Sequence, residues 1–286
     1  MTVQKALIPV AGLGTRFLPA TLTTPKVMIP VIDKPPVHFC VEEASLAGID
    51  HTVLVVSPGQ ESIAQYFNRR LDLESALVQR GKDELAQTIR LISQMSDVSV
   101  VVQEKQLGLG HAVLSAEGAI GNNPFAVFLP DDLILSESPT IGQMVDISEK
   151  NEGMVIALKK VPDEDLSQLG VAEVKNTKKR ISEIMSLVEK PSLESAPSNL
   201  AVIGRYILTK EIFDSIRDLK PGALGEIQLT DGIASLLGKI PCSGYEFEGE
   251  HFDVGIPLGM LKASVYMGIR RRDLKSKFTQ WISDLN

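Results

Sequence analysis

Cysteine is almost missing from this chain: Cys40 and Cys242 are the only two in 286 residues. Two cysteines make no disulfide framework, and these lack the close ligand spacing of a structural zinc site. The four histidines are scattered and add no metal spacing. Cys40 falls in the apolar stretch Val37–Val41, which predicts a buried, inert thiol. Long apolar runs are missing too. No stretch reaches the roughly 18 apolar residues of a membrane-spanning helix. No basic start leads into the apolar core of a secretory signal. Positive charge is not in excess either: the formal net charge is −7. Binding to nucleic acid through an overall positive field is therefore excluded. A local basic pocket is not excluded, and phosphate needs only that. Repeats and low-complexity segments are absent. These absences predict a reduced, soluble, cytoplasmic chain with neither membrane nor nucleic-acid partners.

What is present is ordinary in bulk and specific in detail. Hydrophobic residues make up 44% and charged residues 23%, the balance of a soluble globular protein. The length suits one large α/β domain or two small ones. Near the start the chain reads PVAGLGTR, residues 9–16. Residues 6–11 form a short apolar run, as expected of a strand buried on both faces of a parallel sheet. Gly12 and Gly14 follow, able to take positive φ and to bring backbone N–H groups close to a ligand. Arg16 adds a planar fork of donors for phosphate oxygens. The third glycine of the dinucleotide fingerprint is missing, and so is the Gly-Lys-Ser/Thr of a P-loop. Taken alone, the stretch fits a phosphate site or a tight turn with a surface arginine.

Strand-like and helix-like stretches alternate through the first half. Strands are expected at Lys5–Ala11, His51–Ser57, Val98–Gln103, Phe125–Leu129 and Met154–Lys159. Helices are expected at Pro36–Gly48, Ile63–Ala76 and Gly110–Ile120. This interval predicts a doubly wound, mostly parallel sheet whose ligands bind at the strands' carboxyl ends. After Lys160 the texture changes. Strands at Val171–Val174 and Ile181–Val188, turning at Asn176–Lys179, suggest a small antiparallel extension. A further strand is expected at Leu200–Ile207, with helices at Glu211–Leu219, Asp231–Leu237 and Leu258–Phe278. Arg270, Arg271 and Arg272 read as a solvated end of that last helix. Glu194–Asn199, rich in small polar residues and proline, reads as a loose loop.

Four further features carry chemistry. Lys26 lies ten residues past Arg16, and the pair suits a polyphosphate. QEKQLGLGHA, residues 103–112, offers the Gln103 amide to a base edge and allows close approach at Gly108 and Gly110. LPDDLIL, residues 129–135, ends a buried strand in Asp131, where one carboxylate commonly holds Mg²⁺ against phosphate oxygens. LVEKP, residues 187–191, offers an acceptor in Glu189 and a phosphate donor in Lys190. Each has a bland reading as a turn, a cap or a surface pair.

In order along the chain, PVAGLGTRFLPAT, Pro25-Lys26, LGLGHA, LPDD, VEKP, APSNLAVIGRYILT and GEIQLTD resemble the sugar-1-phosphate nucleotidyltransferases, and among them the bacterial uridylyltransferase branch. The resemblance covers nearly the whole chain. It implies an α/β, Rossmann-like nucleotidyltransferase fold: a mixed, mostly parallel central sheet flanked by helices, a small antiparallel extension and C-terminal helices. It implies one domain over 1–286, its nucleotide-binding half about 1–150 and its sugar-phosphate half about 151–286. The expected reaction joins UTP to glucose 1-phosphate, with Mg²⁺ as cofactor, giving UDP-glucose and pyrophosphate. The resemblance places Ala11, Gly12, Leu13 and Gly14 against the nucleoside, with Gln103 and Gly108 on the uracil. Arg16, Lys26 and Lys190 would neutralise phosphates in catalysis. Gly170 and Glu189 would bind the sugar. Asp131 and Asp253 would bind the metal. A homodimer or homotetramer is implied.

One segment departs from the pattern. Relatives commonly read Asp-Cys-Gly-x-Lys-Leu-Gly near the C-terminus, and this chain reads Asp253-Val254-Gly255-Ile256-Pro257-Leu258-Gly259. Pro257 stands at the lysine position and brings no charge. A different sugar 1-phosphate therefore stays open as the substrate. So does a non-catalytic regulatory paralogue, although Arg16, Lys26, Asp131 and Lys190 are all retained.

Overall fold

Lys5–Pro9 does become a strand, and its three central residues are fully buried. It is β1 of eleven strands in the computed structural model, which describes residues 2–222 and 225–285. The others are β2 (His51–Val56), β3 (Asp97–Val102), β4 (Phe125–Phe128), β5 (Asp132–Leu135), β6 (Met154–Lys160), β7 (Gly170–Lys178), β8 (Ile181–Glu189), β9 (Leu200–Leu208), β10 (Cys242–Glu246) and β11 (Glu250–Asp253). Nine of them form one sheet in the order β3-β2-β1-β4-β9-β6-β10-β8-β7, while β5 and β11 pair separately. β1 runs parallel to β2 and β4, and β2 to β3. β9 is antiparallel to both β4 and β6, and β8 to both β10 and β7. Seven strands thus share one direction, with β8 and β9 opposed. The sheet is mixed and mostly parallel, with the antiparallel β7–β8 hairpin at one edge, as expected.

The alternating pleat explains the two cores. Leu7, Val53 and Val55 face the helices Leu109–Ser115, Glu211–Arg217 and Leu229–Ala234. Ile8, Leu54 and Val56 face the helices Pro36–Leu46 and Thr140–Asn151. Both faces are covered, so the central strands read as unbroken apolar runs. Burying each such side chain contributes about 1.5–3 kcal/mol. Cys40 and Cys242 are free and buried, and burial pushes both thiols up to about 12. A small third cluster of Val31, Leu133, Val254, Met260 and Ala263 packs the β5–β11 pair against the helix Pro257–Gly268.

Several expectations need correction. Ile63–Ala76 is not one helix: a 3₁₀ segment, Glu61–Phe67, breaks before the α-helix Leu71–Gln79. The break has a partner-based cause, since Arg69 and Arg90 both reach the buried Glu74. Leu258–Phe278 divides into helices Pro257–Gly268 and Lys275–Ser283. The three arginines fall in the gap, and two of them are engaged. Arg271 pairs with Asp33 and Asp273, and Arg270 stacks 3.5 Å over the Tyr266 ring. The Glu194–Asn199 loop is tied at one end, where Ser198 Oγ donates to the Ala172 carbonyl at 2.6 Å. The strands β5, β10 and β11 and the helices Asp83–Ile92 and Thr140–Asn151 were not anticipated.

Candidate active site

The glycine loop leaves the carboxyl end of β1 and is pinned where it starts. The Ala11 carbonyl accepts from Ser57 Oγ at 2.7 Å and from Gln106 Nε2 at 2.9 Å. Of the two glycines only Gly14 takes the left-handed conformation, at φ 65°. Thr21 Oγ1 donates to its carbonyl at 2.9 Å. Gly12 and Leu13 stay exposed. The loop forms one wall of a cleft of about 540 Å³. Ala11, Gly12, Leu13, Gly14, Arg16, Lys26, Gln103 and Gly108 all line it. Eight residues from three separate stretches of sequence therefore come together.

The far wall is built on the 103–112 segment. Gly108 sits at φ 96°, and a Cβ there would lie 2.8 Å from the Ile227 carbonyl. Glycine is thus required both by the backbone angle and by the close approach. The segment is stitched to 226–228, with Gly110 N–H donating to Ile227 O at 2.8 Å and Ile227 N–H to Leu107 O at 2.7 Å. Gln103 is 3% exposed, and its Nε2 donates to the Gly108 carbonyl at 3.2 Å.

The carboxylates meet at the mouth of the cleft. Asp131 ends the turn after β4, and Lys26 Nζ lies 2.5 Å from its Oδ2. Asp253 ends β11, which pairs with β5 and sets Asp253 opposite Asp132. Val254 N–H donates to the Asp131 carbonyl at 2.7 Å and locks the two turns together. The two side chains converge on Gly255, which lines the cleft: its Cβ position is 2.9 Å from Asp253 Oδ1 and 3.0 Å from Asp131 Oδ2. Asp253 is raised above the ordinary carboxylate range. Desolvation by the surrounding protein is the main cause, Asp132 and Asp131 add to it, and the Gly255 N–H and Arg16 oppose it. Asp131 and Asp253, with Asp132 beside them, outnumber the two cations near them, Lys26 and Arg16. That donor set fits Mg²⁺, which favours one or two carboxylates plus phosphate and water oxygens. Asp132 is otherwise occupied, accepting from Gly204 N–H at 3.0 Å and bonding His251 Nε2 at 2.6 Å.

Gly170, Glu189 and Lys190 form a second group outside that cleft. Gly170 and Glu189 are register partners in the β7–β8 hairpin. Glu189 Oε2 accepts from Thr230 Oγ1 at 2.8 Å, and Lys190 Nζ stands 3.6 Å from its Oε1. Lys190 has φ 46°, and its N–H donates to the Leu169 carbonyl at 3.1 Å. The segment 226–230 touches both groups, since Glu226 lines the cleft and Thr230 holds Glu189.

Some residues around the site escaped the sequence reading. Gln106, Ser57 and Thr230 steer named site residues. Arg205 is 1% exposed beneath the 129–132 turn. Its Nη1 donates to the Leu129 carbonyl at 3.3 Å and to the Gly204 carbonyl at 2.9 Å, and its Nε to Glu43 Oε2 at 2.9 Å. One arginine inside the apolar run LAVIGRYIL was the available signal. Pro257 is the exposed first residue of its helix, where a missing N–H costs nothing.

Residues 5–267 match the nucleotidyl transferase family. The chain is 41% identical, over 99% of its own length and 98% of the relative's, to the UTP–glucose-1-phosphate uridylyltransferase of Staphylococcus haemolyticus. It superposes on a UTP-bound UGPase from Acinetobacter baumannii with a TM-score of 0.91 at 38% identity, covering 99% of this chain and all (100%) of that one. A UDP-glucose pyrophosphorylase complexed with UDP-glucose gives a TM-score of 0.86 at 40% identity, over 94% of this chain and 100% of that one.

Proposed function

The chain belongs to the nucleotidyl transferase family, and from that membership we propose that it joins UTP to glucose 1-phosphate, forming UDP-glucose and releasing pyrophosphate. The observation that carries this reading is the cleft itself. A glycine loop, two cations and a buried glutamine line one space at the carboxyl end of β1, and two carboxylates converge on Gly255 at its edge. Relatives named for this reaction match it over essentially their whole length.

A phosphate oxygen of glucose 1-phosphate attacks the α-phosphorus of UTP in line, and pyrophosphate leaves. The nucleophile is already an anion, so no general base is needed. No Ser/His/Asp constellation is expected. Catalysis is then positioning and charge neutralisation. Ala11 to Gly14 hold the nucleoside, and Gln103 and Gly108 meet the uracil. Arg16 neutralises the departing pyrophosphate, and Lys26 holds phosphate oxygens beside Asp131. Glu189 accepts sugar hydroxyls against Gly170, and Lys190 holds the sugar phosphate. Asp131 and Asp253 would hold Mg²⁺, which supplies positive charge to the triphosphate. The cytoplasm as location, and a homodimer or homotetramer as assembly, belong to the same reading.

A label on the α-phosphorus of UTP tests the reaction directly. With glucose 1-phosphate present it should appear in UDP-glucose, while a γ-label leaves in pyrophosphate. Label remaining in UTP would contradict the reading.

A further inference from the structure

Gln103 sits at the end of β3, 3% exposed, with its amide at the cleft. An amide has two chemically opposite ends, and a base can be read by only one of them. The protein has already committed the nitrogen. Nε2 carries two hydrogens: one goes to the Gly108 carbonyl at 3.2 Å, the other to His111 Nδ1 at 3.0 Å. The Gly108 carbonyl can only accept, so Nε2 and not Oε1 must face it. The second hydrogen then needs a lone pair on His111 Nδ1, which requires a neutral ring protonated at Nε2. Desolvation first, and Lys105 second, lower the His111 pKa and keep the ring neutral. Oε1 is left over. It takes no hydrogen bond from the described residues, and it is not one of the buried polar atoms without a partner. Gln103 lines the cleft, so Oε1 is the amide atom left to meet a ligand there.

We propose that His111, acting with the Gly108 carbonyl, sets the base selectivity of the cleft by locking the Gln103 amide with Oε1 toward the nucleotide, where it accepts the N3–H of a uracil-type base and rejects cytosine. The inference deepens the proposed function and rests on Gln103 as the base-contacting residue. Uracil carries a hydrogen at N3, and cytosine carries a lone pair there. A fixed acceptor pairs with the first and leaves two lone pairs face to face with the second. A site built around one buried hydrogen bond discriminates strongly against the analogue that cannot make it. An amide turned over would present Nε2–H instead and suit cytosine. His111 itself stays outside the cleft lining, on the first turn of the helix Leu109–Ser115. It acts through Gln103 and is a positioning residue.

The test is kcat/KM for UTP and for CTP, each with glucose 1-phosphate, on the full chain and on four variants whose folding is checked by melting curves. Gln103→Leu should abolish the preference for UTP. His111→Leu, which cannot accept, should lower the UTP:CTP ratio about ten-fold and leave the KM for glucose 1-phosphate unchanged. His111→Phe, ring-shaped and equally unable to accept, should do the same and covers a leucine variant that fails to fold. His111→Asn should restore the ratio, because its Oδ1 stands where Nδ1 stood. A folded His111→Leu or His111→Phe that keeps the full ratio, while Gln103→Leu loses it, overturns the role of His111. A Gln103→Leu variant that keeps the ratio overturns the base contact itself, and the inference with it.

Discussion

Lys26 and Asp131 are 105 residues apart in sequence and meet at 2.5 Å between Nζ and Oδ2. One comes from the segment after the glycine loop, the other from the carboxyl end of β4. Their pairing keeps together, before substrate arrives, the cation proposed to hold phosphate and the carboxylate proposed to hold the metal. The pair is partly exposed, at 17% and 41%, so it adds little to stability. Lys26→Gln should leave the melting temperature nearly unchanged and lower kcat about 100-fold or more. Pyrophosphate release and a melting curve on the same sample check both halves.

Asp253 provides a pH-linked prediction. Its pKa is raised by desolvation and by the neighbouring Asp132 and Asp131. The folded chain therefore holds this proton more tightly than the unfolded chain does. That contribution to stability is complete below the unfolded pKa and is lost as pH rises through the folded pKa. Above the folded pKa the ionised carboxylate is a cost to the ligand-free fold. Asp253→Asn should raise the melting temperature of the free protein at pH 7, and the gain should vanish in acid below the ordinary aspartate pKa. The same variant should lose most of the stabilisation that Mg²⁺ with UTP gives the wild type. Thermal shift across pH, with and without Mg²⁺ and UTP, reads all three.

Glu43 pairs with the buried Arg205 under the Asp131 turn, at 2.9 Å between Oε2 and Nε. Glu43 Oε1 also accepts from Ile141 N–H at 2.9 Å and ties in the helix Thr140–Asn151. Removing one partner strands the other charge in the core. Glu43→Ala should cost about 3–5 kcal/mol by denaturant unfolding. The double change Glu43→Leu with Arg205→Met should cost clearly less than Glu43→Ala alone, because no lone charge remains.

Lys190 is 55% exposed, with its Nζ 3.6 Å from Glu189 Oε1. Lys190→Ala should fold normally and lose orders of magnitude in turnover, with a raised KM for glucose 1-phosphate. Near-normal turnover would remove it from the sugar-phosphate site.

Much of this was legible in the sequence, for physical reasons that can be named. Residues 6–11, 53–56 and 125–128 are apolar because helices cover both faces of the sheet, so runs of strand length mark the central strands directly. Gly108 was recognisable as a close-approach residue, and the structure shows the backbone it must clear. The parts not legible depend on distant partners. The break at Asn68–Arg70 follows from Glu74 gathering two arginines, and the break near Arg271 from Asp33, more than 200 residues away. Strand β5 hid inside LPDDLIL because its pairing partner, β11, lies beyond residue 249. Spacing alone did not bring Asp253 to Asp131. That meeting depends on the β5–β11 register and on the Val254 N–H bond to the Asp131 carbonyl.

The central claim is tested most directly by pyrophosphate release from the purified chain with Mg²⁺, over a grid of nucleoside triphosphates against sugar 1-phosphates. The account predicts that UTP with glucose 1-phosphate is fastest, with Pro257 a tolerated helix start. Dominance of another sugar 1-phosphate would contradict the substrate assignment and direct attention to residues 254–257. Absence of turnover with every pair, while UTP still binds, would contradict catalysis itself.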